Sequence, residues 1–287
     1  MLTRCLERVA RCRQHDPQAF VPWSIGDFEV GRVHRDRVDS LLAIPSPFSR
    51  VGDRIVLNAE PNLAARSAAL AAWVQRAAAA GAIRRPTGEL YAVGRHPWSS
   101  PLASVDRAAL PGLGVAAQGV HLNGYVRDGA ELALWIARRS RDKSTFPGHL
   151  DNIVAGGQAF GAVPQETLRR ECQEEAGLPA ALAEQATAVG AISYLQQDGL
   201  GSKADTLWLF DLELPHEFVP RPTDGEVEGF ELWPCTRVIG SLAGDGMWKP
   251  NCALVALDFL LRHGALDAVL TPDQRWQLWR ALRGGCG

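Results

Sequence analysis

The chain has 287 residues, enough for two modest domains with their own cores, and its 46% hydrophobic content excludes a disordered polymer. Thirty basic residues against 32 acidic ones leave a formal net charge of -2, so neither an overall field nor a basic stripe recommends nucleic acid as a partner. Arg4, Glu7, Arg8, Arg11 and Arg13 interrupt the start, and no run of 18 apolar residues follows, which argues against a signal peptide or membrane span and for a cytoplasmic protein.

Taken in order, Leu2–Arg13 reads as a helix, followed by a turn containing Pro22 and Trp23. Apolar alternation marks strands at Phe28–Val33 and Arg54–Leu57. The alanine-rich Leu63–Ala80 is good helix material. A turn-rich stretch, Arg84–Gly94, and a loop, His96–Gly114, carrying Pro97, Pro101 and Pro111, then close a first domain of residues 1–114. From Val115 strands dominate. Val120–Arg127 and Glu131–Arg138 flank Asp128-Gly129, a strong hairpin signal. Ile153–Ala155, Val189–Leu195, Thr206–Glu213 and Gly229–Trp233 read as further strands, and a helix opens at Pro250 and runs to His263. Residues 115–265 thus form a second, mixed α/β domain, and 266–287 a helical tail. The six cysteines, Cys5, Cys12, Cys172, Cys235, Cys252 and Cys286, show no C-x2-C spacing, which points to reduced, buried thiols rather than zinc or disulfides.

The chemistry is concentrated in Gly156–Leu178. Pro164 suits a first helical turn, Leu168, Cys172 and Ala176 form an apolar stripe, and Gly177 is a good stop. On such a helix Glu171, Glu174 and Glu175 lie at azimuths of roughly 0°, 300° and 40°, crowding three carboxylates onto one face beside Gly156-Gly157. Crowded like charges repel unless a cation sits among them. A hard ion such as Mg²⁺, shared with substrate phosphates, is the natural occupant; a solvated amphipathic helix is the plainer alternative. The five polar or glycine positions of Arg-Glu-x-x-Glu-Glu-x-Gly would coincide by chance at about one start point in a million, taking each at roughly 6% usage.

These residues resemble the Nudix box, G-x5-E-x7-R-E-U-x-E-E-x-G-U with U aliphatic. Gly156, Arg170, Glu171, Glu174, Glu175, Gly177 and Leu178 fall on it, Cys172 stands at an apolar position, and Ala162 replaces the first glutamate. Glu166, four residues before Arg170, is a candidate to brace that arginine instead. The resemblance implies a Nudix fold, a mixed sheet between helices, preceded by a smaller α+β domain. It also implies a metal-dependent diphosphatase in which Glu171, Glu174, Glu175 and a carbonyl at Ala155 or Gly156 hold Mg²⁺, with Mn²⁺ as an alternative, while Arg170 orients the cluster. A narrower similarity lies in Ser144–Asn152, Phe218–Phe230 and Lys249–Leu254. These segments look like the thiamine pyrophosphokinase-related Nudix hydrolases, which carry an uncharacterised domain ahead of the catalytic one. That subgroup implies hydrolysis of thiamine diphosphate, or its oxo and oxy forms, to the monophosphate. The alternatives are an oxidised nucleoside diphosphate of the 8-oxo-dGDP type, a nucleotide sugar, and a non-catalytic ligand sensor made credible by Ala162.

Several further residues are candidates. Glu226 and Glu228 could supply a general base or an extra metal ligand, Glu228 being counted with the catalytic set, although Asp224-Gly225-Glu226 also reads as a solvated turn. Gly156, Gly157, Arg138, Arg139 and Lys143 could meet phosphates, and His149 and Asp151 stand close ahead of the glycines. Trp208, Trp233 and Trp248 suit the core better than a stacking role, and Asn251 suits a helix cap. The N-terminal domain has no motif with chemical meaning; covering the pocket or forming a homodimer are the roles open to it.

Overall fold

A computed structural model describes residues 1–94, 100–199 and 201–284. Cys286 and part of the expected His96–Gly114 loop, including Pro97, lie outside the described residues. The chain opens with helix α1 (Leu2–Arg11), then strands β1 (Phe20–Ile25) and β2 (Phe28–His34), helix α2 (Arg35–Ala43), β3 (Phe48–Val51), β4 (Arg54–Leu57) and helix α3 (Leu63–Ala79). The four strands make a sheet in the order β2-β1-β4-β3, in which β1 and β4 run parallel. The expected Pro/Trp turn is therefore a central strand. Pro22 is tolerated because β4 pairs only with Trp23 and Ser24, so the missing N–H falls outside that ladder. Trp23, Ile55, Leu70 and Trp73 form the centre of this core, and the Trp23 indole donates to the Leu113 carbonyl at 2.7 Å.

The stretch read as turns and loop up to residue 114 also contains structure. β5 (Leu90–Val93) pairs antiparallel with β6 (Ala103–Asp106), and the short helix α4 (Leu110–Leu113) ends on left-handed Gly114. The Asp106 carboxylate organises this region by accepting from the backbone N–H groups of Thr87, Gly88 and Ala108.

The second half contains β7 (Ala116–Asp128), β8 (Glu131–Arg139), β9 (Leu150–Asn152), β10 (Val154–Gly157), helices α5 (Pro164–Ala176) and α6 (Ala180–Ala183), β11 (Thr187–Asp198), β12 (Gly201–Glu213), β13 (Val227–Pro234), and helices α7 (Cys235–Ala243), α8 (Pro250–Arg262) and α9 (Pro272–Leu282). Its mixed sheet runs β11-β12-β7-β8-β13, with β10 added to β7 and β9 to β8. The strand expected at Ile153–Ala155 is β10, which begins at Val154, and a separate strand, β9, precedes it across Ile153, whose side chain is fully buried. One face of the sheet packs Val120, Leu122 and Phe210 against Leu168, Cys172 and Ala176 of α5. The other packs Leu134, Ile192 and Leu209 against α8, where Leu254, Leu257 and Phe259 are fully buried. This α/β/α arrangement is the Nudix fold, and an N-terminal α+β unit precedes it.

Helix α1 crosses between the halves. Its Cys5 and Val9 are buried in the same core as α8 and α9, and Arg8 donates to the carbonyls of Leu242, Ser241, Gly244 and Gly246. The tryptophans are structural: Trp233 and Trp248 are buried with their indoles on Glu231 and Ser241, and Trp208 donates to Gln118.

Candidate active site

Helix α5 is fixed at both ends by its own sequence. Pro164 occupies the first turn, the Glu166 carboxylate accepts from Val163 N–H at 3.4 Å, and Gly177 closes the helix in the left-handed conformation at φ 60°. With Leu168, Cys172 and Ala176 buried, Glu171 and Glu175 are carried beneath β10 and Glu174 is left half exposed. The Glu175 carboxylate accepts from Ala155 N–H at 2.9 Å. Glu171 lies so close to Gly156 that a Cβ there would collide with its carboxyl carbon, which explains the glycine. Gly119 on β7 is required for a similar reason, since a Cβ would crowd the Gly156 carbonyl at 2.8 Å. Nothing in the sequence marked that glycine, because its neighbour across the ladder is set only by the strand register.

Arg170 bridges the cluster, donating to Glu171 at 2.6 Å and to Glu174 at 2.9 Å. The expected pairing of Arg170 with Glu166 is not formed. Glu166 is engaged at the helix N-terminus, and the arginine turns toward the next helical turn. Glu226 pairs with Lys143 at 2.6 Å and acts electrostatically on Glu171. Glu228 instead accepts from the Arg141 backbone N–H at 3.0 Å. Arg138 is drawn to the Gly148 carbonyl and to Glu231, outside the glutamate cluster. His149 bonds its own loop at the Pro147 carbonyl.

The electrostatics are those of a site made for a cation. Burial pushes Glu175 up to about 8, with the Ala155 N–H opposing and Asp151 and Glu171 adding to the rise. Burial likewise pushes Glu171 up to about 6 despite Arg170. Two buried carboxylates with so little compensation, a third at the rim and a glycine carbonyl beside them form an oxygen donor set that fits a hard divalent ion. A consequence follows for the metal-free protein. A carboxyl whose folded pKa is raised loses stabilisation as pH climbs from its ordinary value near 4.5 to about 8. Thermal unfolding in EDTA should therefore show Tm falling between pH 5 and 8, with Glu175→Gln flattening the slope and Mg²⁺ restoring stability most at pH 8. A slope unchanged in the variant would contradict this assignment.

A second polar cluster lies deeper. Asp151 on β9 receives Arg139 at 2.9 Å, Lys249 at 3.2 Å and the Cys252 thiol at 2.6 Å, while Asn152 binds His121 at 2.8 Å. His121, Asp151 and Cys252 bring ligand-type atoms within 4.8 Å of one another. Their chemistry does not favour a metal. The carboxylate is already committed to two cations, burial holds the histidine neutral at about 4, and burial raises the thiol. We read it as a structural network that joins β8, β9 and the start of α8.

Two family models match the chain in succession: a domain of unknown function, DUF4743, over residues 2–117, and the NUDIX domain over 119–250. The chain is 40% identical to Nudix hydrolase 20, chloroplastic, of Arabidopsis thaliana over 279 residues, covering 92% of this chain and 74% of that protein. It is 37% identical to Nudix hydrolase 24, chloroplastic, of the same plant, covering 99% and 79%. Among solved structures, a C. elegans Ap4A hydrolase aligns at 18% identity and TM-score 0.36 over 50% of this chain and 97% of its own. With the box residues on α5 and relatives matched along most of their length, the chain belongs to the Nudix hydrolases, enzymes that split diphosphate bonds with divalent metal ions.

Proposed function

We propose that this chain is a Mg²⁺-dependent diphosphatase, with Mn²⁺ as an alternative ion, acting on thiamine diphosphate or its oxo and oxy forms to release the monophosphate and phosphate. The observation that carries the metal-dependent part is the burial of Glu171 and Glu175 against Gly156 and Ala155. Glu171, Glu174, Glu175 and the Gly156 carbonyl would hold the ion, which when bound supplies charge compensation at the diphosphate oxygens. Arg170 fixes the Glu171 and Glu174 carboxylates relative to one another. The reaction needs no covalent nucleophile: water adds at phosphorus, the bridging P–O bond breaks, and a carboxylate takes the water's proton. Glu226, which pairs with Lys143, and Glu228, which accepts from Arg141, are the loop carboxylates open to that role. Lys143 beside Glu226, and Gly157, would lie along the substrate's phosphates.

Support for thiamine as the organic part comes from the segments around Asp151, Arg221 and Lys249 that resemble the thiamine pyrophosphokinase-related subgroup. They are tied into the fold at the site: Lys249 pairs with Asp151, Arg221 N–H donates to the Ala176 carbonyl, and Thr223 caps the Glu174 carbonyl. The test is a phosphate-release screen with Mg²⁺ across thiamine diphosphate, oxothiamine diphosphate, oxidised deoxynucleoside diphosphates and nucleotide sugars. Oxothiamine diphosphate should give the highest kcat/KM, and EDTA should abolish release. Faster turnover of the nucleotides would reassign the substrate, and Mg²⁺ binding with no turnover at all would point to a ligand sensor.

A further inference from the structure

The N-terminal unit reaches the catalytic centre through one hairpin. The Phe160 N–H, just past the glycines, donates to the Leu90 carbonyl at 2.7 Å. Tyr91 is buried, and its hydroxyl lies so close to Gly157 that a Cβ on that glycine would collide with it. The same hydroxyl donates to Glu89 at 3.2 Å, and the other oxygen of Glu89 accepts from Arg107 at 2.8 Å. A second bond, Arg107 N–H to the Glu89 carbonyl at 2.9 Å, fixes the backbone of this pair. A continuous chain of contacts thus leads from Gly157 through Tyr91 and Glu89 to Arg107.

At the end of that chain Arg107 is 58% exposed, and among the described residues Glu89 is its side-chain hydrogen-bond partner. A guanidinium has five N–H donors in a rigid fork, so most of its capacity for an anion is unspent. Its surroundings are those of the catalytic mouth. Arg107 interacts electrostatically with Glu226, and Glu89 with both Arg170 and Glu171. The partly exposed Glu89 carboxylate would repel a diphosphate unless paired, and Arg107 pairs it while still presenting positive charge outward.

We propose that Arg107, held by Glu89 and Tyr91, is a substrate contact for the anionic diphosphate, so that the N-terminal unit supplies one side of the active site. This rests on the diphosphatase reading above. Glu89 is then a positioning residue, since it acts only through the arginine. The arrangement gives the N-terminal unit a chemical task and explains the pairing of such a unit with a catalytic domain in one chain.

The test uses the full-length protein with Mg²⁺ and methylenediphosphonate, whose P–C–P link cannot be hydrolysed, titrated calorimetrically. Arg107→Ala should weaken binding about tenfold, or about 1.4 kcal/mol, with Arg107→Lys recovering part of the loss and Glu89→Gln weakening binding about threefold. On the best substrate of the wild-type protein, Arg107→Ala should raise KM about tenfold with kcat changed less than about threefold. Equal affinity and KM in wild type and Arg107→Ala, with Glu174→Gln inactive, would overturn the proposal and leave the diphosphatase reading intact. A wild-type protein that neither binds the diphosphonate nor cleaves any diphosphate would overturn both. Because Arg107 is largely exposed, an unchanged Tm should accompany the substitution and separate lost binding from lost fold.

Discussion

Glu174→Gln should lower kcat on the best diphosphate substrate by on the order of 10²–10³-fold, with Tm in EDTA changed by no more than a degree or so. The separation of the two effects follows from where Glu174 sits. Its side chain is half exposed, and its partner Arg170 keeps the bond to Glu171 when the charge at 174 is removed. The glutamine has the same shape and loses only the negative charge. A folded protein with near-normal Tm and near-normal kcat would show that the box glutamates do not hold a catalytic ion here. The comparison with Glu175→Gln sharpens this. Both substitutions should lower turnover to a similar degree, yet only Glu175→Gln should change metal-free stability, because that carboxylate alone is buried with a pKa driven to about 8.

How far the sequence discloses such a site depends on whether its parts are local. The three glutamates and Arg170 lie within two turns of one helix, so helical periodicity alone puts them on one face, and Gly156 could be placed beside them from the motif. Ala162 in place of a glutamate was visible too, but its consequence was not: Arg170 turns toward Glu174 rather than back to Glu166, because the helix N-terminus claims the latter. The N-terminal contribution was illegible for a different reason. Tyr91 and Arg107 stand in or next to four-residue strands too short to show alternation, and the approach of Tyr91 to Gly157 is a contact between residues more than sixty apart. Pro22 likewise argued for a turn where β1 is central, since sequence does not say where a parallel partner ends. The β7–β8 hairpin at Asp128-Gly129 was legible, because a two-residue turn with Gly129 at φ 58° is written locally.

The Asp151 network carries the second large expected effect, on stability rather than turnover. Asp151 is 4% exposed and compensates two cations, the buried Arg139 and the partly buried Lys249, while also accepting from the Cys252 thiol. Removing the shared carboxylate leaves both cations in a low-dielectric interior without their counter-charge, Arg139 keeping only the Thr145 carbonyl. Asp151→Ala should therefore cost about 3–5 kcal/mol, a fall in Tm on the order of 10 °C, whereas Lys249→Met, which leaves Asp151 paired with Arg139, should cost less. The pH dependence gives an independent check. Burial alone would raise Asp151, but Lys249 and Arg139 outweigh it and hold the carboxyl at about 2, below the ordinary 3.8. A depressed folded pKa contributes stability that is present above the unfolded value and is lost as pH falls through the folded one. The wild-type protein should thus lose this contribution between pH 4 and 2, and Asp151→Asn should have a shallower acid limb. Since β9 leads directly into Ile153 and β10, loosening this network would also shift Ala155 under Glu175. Chemical denaturation at pH 7 measures the first effect, and denaturation midpoints followed down to pH 2 measure the second. A Lys249→Met protein less stable than Asp151→Ala would show that the lysine, not the carboxylate, is the centre of the network.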